Sequence, residues 1–389
     1  MPLMKEIMNR FVLAVAVVVG VVVVAGCPGS QRRPVRFGER ADRPRQPDGS
    51  SPQATPTTPA APPLLVRFEE RNITFAVDGQ PVDLKATAGL PTTGGEPVGG
   101  PVIVIVPGAS DVSRKGLRRG DGVSIYPKPV AVTSSWQQAF GDRGALTLAW
   151  DKRTCGPNDD PDCNKNLQGD VDKDGPIALS KDVDAACAVA RTLPGADGRI
   201  VLLAHGQATQ VALASGCAKD ATAIVLLNPV PRGIDVVLVE GLQARQAALS
   251  AEAKNAVTPE DKTRLLDQAV ALRNLAATRQ AGFASMTSGK FAKDARVDGA
   301  TISFWLGWIE LTAKTPELLA PLQDKTIVVI ATGDTQLSDT DRALAKALPA
   351  KKTIVVDGDH HFVIDGVLSA GASTAVVDAV VELVVPPAS

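Results

Sequence analysis

The run Asp170-Val171-Asp172-Lys173-Asp174-Gly175 sets three carboxylates at alternate positions ahead of a glycine. Loops with that spacing wrap oxygens around a hard cation such as calcium. Asp159, Asp160 and Asp162 would add ligands if the two stretches fold together. The twelfth position of such a loop wants a bidentate glutamate, and here it is Lys181. A solvated acidic loop is therefore the plainer reading of Asp170, Asp172 and Asp174, and a structural calcium site the sharper one. Apart from that calcium, no cofactor is expected. Besides Cys27 near the N-terminus, the cysteines are Cys155, Cys163, Cys187 and Cys217. They lack zinc-site spacing and suit disulfides in an oxidising compartment. Four cysteines allow three pairings. The favoured one closes a short loop with Cys155–Cys163 and joins two helices with Cys187–Cys217.

The elements that must hold these residues begin after a long N-terminal segment. Lys5 and Arg10 precede an apolar run over residues 11–25. At about 1.5 Å per residue, a membrane span needs roughly 20 such residues, so the run is short for one. A positive start, a short apolar core and small residues before a cut site mark an export signal over residues 1–26. Val24-Ala25-Gly26-Cys27 resembles the bacterial lipobox, which implies that Cys27 is lipidated and becomes the mature N-terminus. Residues 27–63 then form a lipidated cysteine and a Pro-rich tether without apolar periodicity, disordered on its composition. These features imply a cell-envelope protein held to the membrane by its lipid. Where the organism has two membranes, the periplasmic face of the outer one is expected. The formal net charge of −1 offers no footprint for nucleic acid, and 4% aromatic residues provide no stacking surface. Oligomeric state is left open.

Residues 64–389 read as one α/β body. The continuous run at 101–106 has no polar alternation, the pattern of a strand buried on both faces of a parallel sheet. Two strands before it, 66–77 and 82–90, flank Asp78-Gly79 and read as a hairpin. Strands are expected at 145–150, 199–204, 223–227, 326–331 and 353–356, with helices over 177–193, 208–219 and 341–348 between them. That alternation implies a mostly parallel sheet covered by helices. Between about 232 and 320 the strand signal disappears. Thr258-Pro259-Glu260-Asp261 opens a helix continued by Leu265, Ala269, Leu272 and Ala276, so a helical cap is inserted there.

In an open α/β sheet the chemistry gathers at the strand ends. Val106-Pro107-Gly108-Ala109-Ser110 resembles the oxyanion loop of α/β-hydrolases. Trp150-Asp151-Lys152-Arg153-Thr154-Cys155-Gly156 resembles a stretch of esterase-like and serine-aminopeptidase-like members. Leu202-Leu203-Ala204-His205-Gly206-Gln207-Ala208 occupies the place of the nucleophile elbow. Gly333-Asp334-Thr335-Gln336-Leu337 and Gly358-Asp359-His360-His361-Phe362 resemble the acid and histidine loops, in the chain order this fold uses. Phe304-Trp305 resembles the segment that ends the cap in secreted esterases. The resemblance covers nearly the whole body, and a dienelactone-hydrolase-like member would fit equally. It implies an α/β-hydrolase fold, with Asp334 and His360 as acid and base and backbone N–H groups of Ala109 and Gln207 as the oxyanion hole.

One position departs from the pattern. Gly206 stands where the nucleophilic serine belongs, and Ala204 and Ala208 replace the flanking glycines. Glycine tolerates a strained turn, so the turn would persist without its attacking oxygen. Ser215 falls in the following helix and Ser110 on the opposite loop. His205 reads as a pocket-wall or packing residue, and His361 as a neighbour that packs or faces solvent. Two functions remain. The first is a catalytically degenerate binding or interaction protein, taking a small acyl or peptide-like ligand. The second is an active or weakly active hydrolase of esters, thioesters or peptides, in which His360 and Asp334 activate a water or an unconventional nucleophile.

Overall fold

The computed structural model describes residues 64–77, 80–108, 113–120, 125–155, 175–289, 291–292 and 295–384. Cys27 and the residues before it, Asp78 and Gly79, Ala109, Ser110, Cys163 and the acidic run with Asp170, Asp172 and Asp174 lie outside them. The strands used below are β1 (Leu64–Val77), β2 (Gln80–Thr93), β3 (Gly100–Val106), β4 (Leu117–Gly120), β5 (Ile125–Ala131), β6 (Leu146–Trp150), β7 (Ala196–His205), β8 (Ala223–Leu227), β9 (Thr326–Ala331) and β10 (Lys352–Val356). The helices are α1 (Val132–Gly141), α2 (Pro176–Ala190), α3 (Ala208–Ala214), α4 (Cys217–Asp220), α5 (Ile234–Lys254), α6 (Pro259–Thr287), α7 (Ile302–Ala313), α8 (Asp339–Lys346) and α9 (Ala370–Val384).

A nine-stranded sheet organises the body, in the order β1-β2-β6-β3-β7-β8-β9-β10, with a two-residue strand at Glu96–Pro97 on the edge of β2. From β6 to β10 every pairing is parallel, whereas β1–β2 and β2–β6 are antiparallel. The uninterrupted apolar runs have a direct structural cause. Side chains alternate across a strand, so a strand covered on both faces needs apolar residues at every position. Val102, Val104, Leu202 and Leu226 pack on one face with α2, α3 and the start of α5. Ile103, Ile105, Leu203 and Val225 pack on the other with Trp136 and Phe140 of α1 and Val376 and Val380 of α9. The sheet is thus a middle layer between two helical layers, the α/β-hydrolase architecture.

The N-terminal hairpin runs further than its apolar residues suggest, from Leu64 paired with Thr93 to Val77 paired with Gln80. The expected single helix over 208–219 is broken in two. Ser215 adopts an extended conformation after α3, and its hydroxyl then accepts from Ala218 N at 3.2 Å inside α4. A short polar side chain that bonds nearby backbone competes with helix continuation. Asp184 fixes the restart by accepting from Cys217 N at 2.8 Å.

Cys187 of α2 and Cys217 of α4 form a disulfide across 30 residues. Cys155 is also disulfide-bonded, and its expected partner Cys163 lies outside the described residues. Cross-linking a loop of this length constrains the unfolded chain, which typically stabilises by about 2–4 kcal/mol. The double variant Cys187→Ala/Cys217→Ala is expected to lose that amount in urea unfolding. An unchanged midpoint would show that the cross-link adds nothing to the fold.

Between β8 and β9, two long helices form the inserted layer. Thr258 caps α6 by accepting from Asp261 N at 3.0 Å, with Pro259 in the first turn. Leu265 and Ala269 of α6 pack with Leu249 and Ala253 of α5 to close the far end of this helical pair. The nearer half of α5 returns to the main core through Ile234 and Val237. Among the described residues, no helix is long and apolar enough to cross a membrane.

Candidate functional site

Parallel strands bring their C-terminal ends to one edge, so the loops after β3, β7, β9 and β10 converge there. Gly206 follows β7 directly and has φ +57°. Its N–H donates to Leu227 O at 2.9 Å, and its carbonyl accepts from Thr209 N at 3.1 Å and from the Thr209 hydroxyl. This left-handed turn favours glycine. A Cβ built on Gly206 would lie 3.8 Å from His360 Nε2 and 4.0 Å from its Cε1, and among the described residues it meets nothing else inside 4 Å beyond its chain neighbours.

His360 Nδ1 lies 2.8 Å from Asp334 Oδ2. Asp334 is 1% exposed and His360 8%, so the pair is shielded from solvent. The other carboxylate oxygen of Asp334 accepts from Gln336 N at 2.7 Å and Leu337 N at 3.3 Å. Asp334 and His360 meet because their loops touch. Gly333 N donates to Gly358 O at 2.9 Å, and a Cβ at Gly333 would sit 2.7 Å from that oxygen. With Nδ1 engaged by Asp334, Nε2 is the ring nitrogen that faces Gly206. Among the described residues, no serine, threonine or cysteine bonds that ring. Gln207 starts α3 at the pocket wall. Ala109 falls outside the described residues, as do Asp170, Asp172 and Asp174; among the described residues no cluster suits a metal ion.

Residues 103–372 match the alpha/beta hydrolase family. The chain belongs to that family. Among solved structures, similar ones include DcsB in complex with its substrate analogue, at 16% identity over 82% of this chain and 98% of that one, with a TM-score of 0.48. Another is Est1E from Butyrivibrio proteoclasticus, at 13% identity over 81% of this chain and 99% of that one, with a TM-score of 0.44. A comparison with curated proteins finds no match.

In this alpha/beta hydrolase domain, several residues that sequence reading passed over hold the histidine loop in place. The His360 carbonyl accepts from Asn228 Nδ2 at 2.9 Å and lies 2.8 Å from His205 Nε2. Asn228 is fully buried at φ 44° and also accepts from Ala331 N at 2.8 Å through Oδ1, so it ties β8, β9 and the histidine loop together. Its signal in sequence is slight: an asparagine at a strand end, the residue type after glycine that best tolerates a left-handed turn. Tyr126 bonds Asp359 through its hydroxyl and lies 3.3 Å from His361 Nδ1, while Asp359 also accepts from His361 N at 2.8 Å. His361 is therefore buried rather than solvent-facing. Asp151 and Arg153 serve elsewhere. Asp151 accepts from Arg114 N at 2.7 Å, and Arg153 forks onto buried Asp182 of α2. These pairs brace the loop after β6 against its neighbours.

All three histidines of the chain cluster together with tilted or edge-on rings, the centroids 4.5 Å apart for His205–His360, 5.1 Å for His360–His361 and 5.5 Å for His205–His361. Burial, then the neighbouring His360 and Arg118 charges, push His205 down to about 3. Burial and the other two histidines likewise push His361 well down. For Asp334 burial acts upward, but the charge and hydrogen bond of His360 with the two backbone donors prevail and hold it below the usual carboxylate range. The site therefore keeps an ionised Asp334 beside His360, flanked by two neutral imidazoles at neutral pH.

Proposed function

We propose that the chain is a lipid-anchored envelope protein whose alpha/beta hydrolase domain is catalytically degenerate and binds a small acyl or peptide-like ligand without a covalent step. The observation that carries this reading is the bare backbone of Gly206 opposite His360 Nε2. A nucleophilic mechanism needs a side-chain oxygen or sulfur within bonding reach of the base. The lining of the adjacent cavity includes Gly206, Gln207 and His360 and, among the described residues, no serine, threonine or cysteine. Cys27 would supply the lipid anchor, and Ala109 with Gln207 the backbone N–H groups that accept a polar ligand atom.

The retained Asp334–His360 pair favours a second reading, in which His360 draws a proton from water that attacks an ester directly. The two readings separate in one assay. The full chain is offered short p-nitrophenyl esters and aminoacyl p-nitroanilides beside its His360→Ala variant. Equal rates at the buffer background are expected for both proteins. Turnover by the parent that disappears with His360→Ala would defeat the non-catalytic reading and establish the water mechanism.

A further inference from the structure

β10 closes one end of the main sheet, and among the described residues its strand partner is β9 alone. Val356 O accepts from Thr332 N at 2.9 Å, so the backbone groups of Val356, and by alternation those of Ile354, turn toward β9. The N–H and C=O of Thr353 and Val355 therefore point away from the sheet. Thr353 is exposed and Val355 is 49% exposed, so among the described residues the strand lies open along that side. Ile354 and Val356 pack with α9 on one face, which leaves Thr353 and Val355 on the other. The far end of the sheet is built differently. β1 carries Arg67, Glu69, Glu70 and Arg71 along its middle, charges that discourage a neighbouring strand. After Lys352, β10 is Thr353-Ile354-Val355-Val356, a β-branched run without a charge. Its charges stand just outside, Lys351 before and Asp357 after, both exposed. An edge of this kind is a template for another strand.

We propose that β10 is the interface of a homodimer, in which two copies of the chain pair β10 antiparallel and join their sheets edge to edge. A twofold axis through Ile354 sets Thr353 against Val355 of the second copy. Both residues point outward, so each such pair exchanges two backbone hydrogen bonds. The same register sets Lys351 against Asp357 of the second copy, and Asp357 against its Lys351. The strand is thus its own complement, with opposite charges meeting at both ends and β-branched side chains between them. Moving the axis to Thr353 or Val355 keeps outward groups opposed but parts the charges. Lys351 then faces Val355 in the first case, and Asp357 faces Thr353 in the second. A foreign strand gives no reason for a charge pattern that reads as its own complement, and a second copy does. The interface lies on the sheet edge and makes no use of the Gly206–His360 cavity, so it holds whichever way that site functions.

Sedimentation equilibrium of the full chain over the micromolar range, in density-matched detergent to hold the apolar run at 11–25, tests the proposal. The parent is expected to reach the mass of a dimer. Val355→Lys should stay monomeric, because it sets a cation in the middle of the seam on both copies. Val355 is half exposed, so the variant should keep the parent's circular dichroism spectrum, and the loss is then one of association rather than folding. Lys351→Asp should weaken the dimer by about tenfold, since it opposes Asp357 and the twofold axis repeats the clash. Adding Asp357→Lys to Lys351→Asp should restore association, a rescue that contact through any other surface would not give. A parent that is monomeric throughout, its edge covered by another part of its own chain or taken by a different protein, would overturn the proposal. So would a dimer that survives Val355→Lys. A dimer lost in Lys351→Asp and not recovered by the charge exchange would overturn the pairing about Ile354.

Discussion

On the proposed non-catalytic reading, Gly206→Ser is expected to produce a measurable esterase, with a gain on the order of 10²- to 10⁴-fold over the parent. Among the described residues the new Cβ would stand 3.8 Å from His360 Nε2 and touch nothing else. One rotamer then extends the hydroxyl toward that nitrogen, where it finds a base whose ring is already fixed by Asp334 at 2.8 Å. The backbone sets the cost. At φ +57° a residue with a Cβ is strained by roughly 1–2 kcal/mol relative to glycine, so the variant should unfold at a lower denaturant concentration than the parent. Losing stability while gaining rate is a signature that generic unfolding would not produce. Short p-nitrophenyl esters read the gain, and adding His360→Ala to the serine variant should return the rate to the parent level. A folded Gly206→Ser protein no faster than the parent would show that the missing hydroxyl is not what disarms the site, and the emphasis on Gly206 would fail.

What the sequence made readable, and what it hid, follows from how far each signal extends along the chain. The sheet announced itself because strands such as Val102–Val106 must be apolar at successive positions when both faces are covered. The turn at Gly206 and the loops bearing Asp334 and His360 were readable for a related reason: each is a short local pattern at the end of such a strand. Arg118 and Asn228 were not. Arg118 stands among several arginines, and its burial beside two histidines is decided by how the β4–β5 hairpin folds over the sheet edge. Asn228 acts through partners far along the chain, Ala331 and His360. Helix α5 falls inside the expected helical cap, but its bounds were not readable. Its stretch IDVVLVEGLQARQAALSAEAK faces the main core at one end and α6 along its length, so its buried residues do not form one clean stripe. Gly241 belongs to the same category. A Cβ there would collide with Gln336 O at 2.2 Å, a contact between cap and acid loop that no local pattern encodes.

The second large effect is a loss of stability in mild acid. His205 titrates near 3 in the folded chain and near 6.5 when unfolded, because burial, His360 and Arg118 all oppose a positive charge there. Between those two values the unfolded state binds a proton that the folded state refuses. By linkage, stability then rises with pH across that window and falls as the solution is acidified through it. Each such histidine contributes a slope of about 1.4 kcal/mol per pH unit well below 6.5, and His205 alone would account for on the order of 4 kcal/mol by pH 3. His361, also pushed down by burial and its two imidazole neighbours, adds in the same direction. Asp334 reinforces the trend below about pH 4. Its folded pKa is depressed, so its contribution is present above the unfolded value and lost on protonation. Urea unfolding from pH 8 to pH 4 should therefore show a plateau above neutrality and a steep decline below about 6.5. His205→Gln should flatten that decline by one proton's worth while changing the plateau by a separate, pH-independent amount for its contact with the His360 carbonyl. A slope untouched by the substitution would mean that His205 accepts its proton in the folded state, and hence that the cavity wall is wetter than the packing of Arg118, His360 and His361 around it implies. The pH profile therefore also tests how dry that cavity is.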